Sequence, residues 1–306
     1  MLEQQIDSFI KECHIKGLSH NTIKRYERVL HNFNEFLYEY AGERDIKDIT
    51  INDLEPFLVK EYIFKLQKKG ISNSSVKNEY DIIKLFIRHI VENYDINFDF
   101  SKLKINIKNP HKIKPHLTKN EYEKVLNALK EKLRKTKSLN VFSTFLTIYI
   151  LALTGMRAEE LIKMKKNNIS IDDEWFLKLK IKGKGGKERE NFILLENIEE
   201  FLEKYERLKK KENIFENEYF IVNKKNKPLK YNNLYVTNNK FLLKLGIDKN
   251  KKGLHLYRRT FGMLKLQEGH DIAAISEWLG HHNIGVTHKY YARANEIGKK
   301  RLILKN

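Results

Sequence analysis

Thr154-Gly-Met-Arg157-Ala-Glu-Glu160-Leu161 closes the most apolar stretch of the chain, and the reading of that junction decides the fold. Upstream, Val141 to Met156 carries no charged side chain but includes Ser143, Thr144, Thr147 and Thr154. A helix needs about 20 apolar residues to cross a bilayer. The stretch is short for that, so it predicts a buried core helix over 141–153 in a soluble protein with no membrane partner. Arg157 then falls at a helix–turn junction. Downstream, Trp175, Leu177, Leu179 and Ile181 recur at every second position. A Gly-Lys-Gly-Gly turn (183–186) follows, and the alternation resumes at Phe192 and Leu194. This pattern predicts a β-hairpin with Lys184 at its tip.

Outward from this centre the chain reads as helical. Ile6, Phe9 and Ile10 begin one amphipathic stretch, and Ser19 is placed to cap a helix over Thr22 to Tyr40. A third helix is expected within Asp53 to Lys68, stopped by Gly70, and a fourth after Ser72. Residues 100–117 lose the periodicity and carry Pro110 and Pro115 in a basic, extended stretch. Thr118-Lys-Asn-Glu121 is a capping-box pattern ahead of the next helix. Further helices are expected over 196–212, 231–245, 255–268, 271–279 and from about 294. The fold class is mainly α with a small β-sheet. Its expected parts are a helical N-terminal domain over 1–100, a linker over 101–117 and an α+β domain over 118–306.

Charge separates the same two parts. The net charge of +19 comes from 59 basic and 40 acidic residues. Residues 1–110 hold 17 of each sign, and residues 111–306 hold the other 42 and 23. An excess confined to one domain favours a polyanion partner through phosphate neutralisation and counterion release. The single cysteine, Cys13, leaves no intrachain disulfide and no CxxC metal pair, and the first residues lack the apolar core of a signal peptide. A reducing, cytoplasmic and nucleoid-associated location is expected.

In this order, the motifs resemble the tyrosine recombinase (phage integrase) family, which includes Xer-type and archaeal integrase members. Gly17-Leu-Ser19-His-Asn-Thr22-Ile-Lys-Arg-Tyr26 is similar to the start of the family's SAM-like core-binding domain. Thr154 to Leu161 is similar to the first arginine box, and Gly183-Lys184-Gly-Gly-Lys187-Glu-Arg189 to the hairpin lysine. His255-Leu-Tyr-Arg258-Arg259-Thr-Phe261 is similar to the second arginine box, and Leu279-Gly280-His281 through Tyr290 to the last. The resemblance implies a C-shaped clamp whose linker lets two domains close around a double-stranded DNA recombination site. It further implies a homotetramer on two duplexes, with a last helix (about Asn295 to Leu304) docked on a neighbouring subunit.

The chemistry so implied needs these residue types. Opening a phosphodiester with a tyrosine hydroxyl passes through a state bearing extra negative charge. Arg157 and Arg258 can clamp its oxygens through charge-assisted bonds, with His281 as a third donor. Lys184 is the candidate acid for the leaving 5′ oxygen. A tyrosine of pKa about 10 must shed its proton during attack, and His255 could accept it. Tyr290 carries the covalent 3′ phosphate. Glu160 is expected to orient its neighbours, and Lys187, Arg189 and Arg259 to contact DNA. Tyr291, directly after Tyr290, is the alternative nucleophile. No cofactor, metal or nucleotide is expected, and no Gly-x-x-x-x-Gly-Lys-Ser/Thr loop is present. Three competing readings are a metal-dependent nuclease, a catalytically silent DNA-binding regulator of the same fold and a type IB topoisomerase-like relaxing enzyme. The first needs converging carboxylates, whereas Asp172, Asp173 and Glu174 are adjacent in what reads as a loop.

Overall fold

The computed structural model describes residues 2–43, 50–108, 115–183, 188–249 and 253–280. Lys184, Lys187, His281, Tyr290, Tyr291 and the expected last helix lie outside the described residues. The chain divides into two compact units, Met1–His111 and Lys112–Asn306.

The first unit is built from α1 (Glu3–Ile15), α2 (His20–Gly42), α3 (Pro56–Lys68) and α4 (Asn73–Tyr94). Local chemistry sets their ends. Ser19 and Ser72 accept from the amides of Thr22 and Ser75, each at 3.3 Å, and Pro56 opens α3 where its missing N–H costs nothing. One face of α2, with Val29, Leu30, Phe33, Phe36 and Leu37 at helical spacing, forms a buried stripe. It meets Phe9, Tyr62 and Phe86 in a core that includes edge-on ring pairs such as Phe33–Tyr62. Burying one such large side chain contributes about 1.5–3 kcal/mol. The core runs past α4. Ile96, Phe98, Leu103 and Ile107 are buried in it, and the Tyr80 hydroxyl donates to the Leu103 carbonyl. A stretch that looked extended and basic therefore places Leu103 and Ile107 in the core, with Phe100 and Ile105 packed against it. Leu103 and Ile107 lie outside any regular element, which concealed them from a periodicity reading.

The second unit is organised around its apolar helix. It comprises α5 (Lys119–Lys135), α6 (Leu139–Thr154), α7 (Ala158–Ile162), α8 (Glu199–Lys211), α9 (Tyr231–Lys244), α10 (His255–Gln267) and α11 (Ile272–Leu279). Thr118 and Glu121 form the expected capping box at α5. α6 is buried nearly all round, because α5, α8, α9, α10 and the sheet each pack on a side of it. Its hydroxyls are satisfied at once: Thr147 and Thr154 donate back to the Ser143 and Ile150 carbonyls, and Ser143 donates to Val222 O at 2.7 Å.

The sheet is antiparallel in the order β1 (Ile169–Asp172), β2 (Phe176–Lys182) and β3 (Glu188–Leu194). Leu177, Leu179 and Ile181 of β2 and Ile193 of β3 turn inward, and Ile181 is registered with Arg189. The two paired strands match expectation, but Phe192 and Leu194, on which the β3 alternation was read, are exposed while Ile193 between them is buried, and β1 is an addition. Four residues at an exposed edge give too little alternation to read, and the turn beyond them places Asp173 and Glu174 at φ of 49° and 60°. Asp172 is the last residue of β1 and pairs with Lys178 at 3.1 Å. No helix among the described residues is long and apolar enough to cross a membrane.

Candidate active site

Arg157 is set by the end of α6. Gly155 turns the chain at φ +63°, a left-handed conformation that L side chains rarely adopt, and two residues later Arg157 becomes the N-cap of α7. Glu160, three residues on, accepts from the Arg157 amide at 2.9 Å and from its Nη1 at 2.8 Å. The sequence Arg-Ala-Glu-Glu thus holds its own arginine. Arg157 Nη2 is left to reach the Gly280 carbonyl at 3.0 Å.

Arg258 arrives from α10 and is only 7% exposed. Its Nη1 donates to Gly155 O at 3.1 Å, and its Nη2 donates to the Leu279 carbonyl. The two arginines expected to act together, a hundred residues apart in the chain, therefore meet on adjacent carbonyls at the end of α11. His255 occupies the first turn of α10, exposed and on the same helix face as Arg258. Arg259 Nε donates to the His255 carbonyl at 3.2 Å.

Glu160 is 12% exposed on its side chain, and opposing effects act on it. Burial raises its pKa, but bonds from Arg189 and Arg157 outweigh that, so the carboxyl stays below the ordinary carboxylate range. Arg189 was expected on DNA. It instead points inward from β3, bonded to both oxygens of Glu160 at 3.2 and 2.6 Å.

A cleft of about 800 Å³ opens beside this cluster, lined by Arg157, Glu160, Lys163, Lys180, Lys182 and Arg189 among others. Lys163, Lys180 and Lys182 went unnoticed in the sequence. The last two are the polar half of the β2 alternation, which is the signal that could have found them. The half-buried His116 is held below its usual pKa by burial and by the charges of Lys249 and Arg259. Among the described residues no group of three or more His, Cys, Asp or Glu side chains could hold a metal ion.

Known proteins resemble this chain along most of its length. The phage integrase family profile matches residues 115–296, and a phage integrase SAM-like domain profile matches residues 1–107. This chain belongs to the phage integrase family. It is thereby a tyrosine recombinase, an enzyme of site-specific DNA recombination. A tyrosine recombinase XerC of Staphylococcus saprophyticus is 26% identical over 288 residues, covering 93% of this chain and 90% of that protein. The XerH recombinase in a post-cleavage complex with difH DNA shares the fold at a TM-score of 0.76 and 22% identity, over 98% of this chain and 82% of that one. A lambda integrase from a tetramer bound to a Holliday junction superposes at 0.67 with 17% identity, over 94% and 76%.

Proposed function

We propose that this recombinase cuts one strand at a time through Tyr290, with Arg157, Arg258 and His281 holding the scissile phosphate. The observation that carries the reading is the meeting of Arg157 and Arg258 on the Gly280 and Leu279 carbonyls, directly before His281 in the chain. Each guanidinium keeps a planar fork of donors with a fixed direction, which suits two oxygens of one phosphate.

The Tyr290 oxygen forms a bond to phosphorus as the bond from phosphorus to the 5′ oxygen breaks. The phenolic proton passes to His255, and Lys184 supplies the proton that leaves with the 5′ hydroxyl. The 3′-phosphotyrosyl ester conserves the bond energy, so a 5′ hydroxyl from another strand can reverse the step without ATP or a metal ion. Lys187 and Arg259 contact the duplex. Four subunits assemble on two duplexes, with residues 295–304 docked on a neighbour; the tetrameric state is supported by the lambda integrase of similar fold, a tetramer bound to a Holliday junction. The protein acts in the cytoplasm on nucleoid DNA, in integration and excision or in the resolution of chromosome dimers.

The test is covalent trapping on a nicked duplex carrying a recombination site, in EDTA, with wild type and Tyr290→Phe. A protein–DNA band that disappears in the variant is expected. A band retained by Tyr290→Phe would move the nucleophile to Tyr291, and a wild-type band that requires a metal ion would defeat the mechanism.

A further inference from the structure

Arg189 connects three segments that lie far apart in the sequence. It sits at the start of β3, on the strand that descends from the hairpin tip, with its side chain 9% exposed. Its Nη1 and Nη2 grip the Glu160 carboxylate, and its Nε donates to the Trp278 carbonyl at 3.2 Å. The Arg189 side chain also packs closely against Gly280: a Cβ there would stand 2.8 Å from Nη1. The final carbonyls of α11 therefore form a short row shared among three arginines. Trp278 O is taken by Arg189, Leu279 O by Arg258 and Gly280 O by Arg157. Such carbonyls have no partner within their own helix and form the negative end of its dipole, so cations are the natural groups to fix them.

We propose that Arg189 is a positioning residue for the recombination chemistry. It locks the hairpin strand, the Glu160–Arg157 pair and the end of α11 into one geometry, and it does not contact DNA. The inference rests on the reading above, that Arg157, Lys184 and His281 act together on the phosphate. Each of those residues belongs to a segment that Arg189 holds. Lys184 lies five residues before it on the hairpin, Arg157 shares Glu160 with it, and His281 directly follows the Gly280 it packs against. The bonding also has an electrostatic consequence. Glu160 faces two guanidinium groups and takes two hydrogen bonds from each residue, the Arg157 amide included. Without Arg189 the whole carboxylate charge would fall on Arg157 and oppose its pull on a phosphate. All three nitrogens of Arg189 donate to protein acceptors drawn from two separate segments, which is what a positioning role requires.

Lysine at this position retains the charge but lacks the fork, so it cannot hold both Glu160 oxygens and Trp278 O together. The test uses the full chain in EDTA, under single-turnover conditions with protein saturating a nicked duplex. Wild type is compared with Arg189→Lys and with Gly280→Ala, which intrudes on the same contact while leaving Arg189 in place. Covalent-complex formation should slow by about 100-fold in both, the cost of an ångström-scale misplacement of reacting groups. Duplex Kd and its salt dependence should stay at wild-type values. If Arg189→Lys does not fold, Gly280→Ala carries the test. A salt slope reduced by about 0.9, the share of one phosphate, with cleavage at saturation unchanged would make Arg189 a DNA contact and overturn the proposal. Unchanged cleavage with unchanged binding would overturn it too, as would a proportional loss of binding and rate with a lowered melting temperature. Failure of wild type itself to form the covalent complex would instead strike at the recombination mechanism on which the inference rests.

Discussion

A methyl group at Gly155 would stand 2.9 Å from Cγ of Phe261 and 3.0 Å from Cδ2 of Leu279, in a backbone that already has φ at +63°. Both neighbours belong to the helices that deliver Arg258 and the α11 carbonyls, so this one residue sets how closely α6, α10 and α11 approach. Gly155→Ala should destabilise the second unit by about 1–3 kcal/mol, read as a lower urea midpoint. An unshifted midpoint would mean that the three helices tolerate a wider spacing than the structure gives them. In the first unit the sensitive atom is a phenol. Tyr62 donates to Glu79 Oε2 at 2.9 Å, and both side chains are buried. Burial and the adjacent carboxylate push the phenol pKa far up, so it stays a donor at any working pH. Tyr62→Phe strands Glu79 and should cost about 1–3 kcal/mol. Chemical denaturation of the variant checks this, and a neutral result would require another donor to Glu79.

Helix α7 is only five residues long and depends on its capping box more than on its own hydrogen bonds. Glu160 is therefore both cap and counter-ion, which gives the element a pH dependence of definite sign. Its folded pKa lies below the ordinary 4.5, so its contribution is complete above that value and fades as the pH falls through the folded one. Glu160→Gln should be less stable than wild type at neutral pH, with the gap narrowing in acid below about pH 4.5. Thermal melts across that range decide it, and a gap independent of pH would show that the charge of Glu160 is immaterial to α7. Element by element, legibility follows the length of the repeat. The stripe on α2 and the run in α6 declared themselves because many residues repeat one period. β1 did not, with four residues on an edge.

The two units have separate cores, one around Phe33 and Phe86 and the other around α6. A fragment of residues 1–111 should therefore fold alone with a cooperative thermal transition, and a gradual, non-cooperative melt by circular dichroism would contradict that. At the scale of the whole chain, the sequence by itself determined the helices with their serine and threonine caps, the hairpin, the charge confined to residues 111–306 and the motifs that mark the family. These are written in near neighbours or in composition, where a period of 3.6 or 2, a capping oxygen or a count of lysines is enough. The tertiary structure alone decided the burial of Leu103 and Ile107, the third strand and above all the direction of Arg189. Arg189 reads locally as one more cation after a Gly-Lys turn, and its partners Glu160 and Trp278 lie 29 and 89 residues away. Only packing around α6 brings a carboxylate and a helix end within reach of it. Once there, its donors are satisfied on protein, by the Glu160 carboxylate and the Trp278 carbonyl.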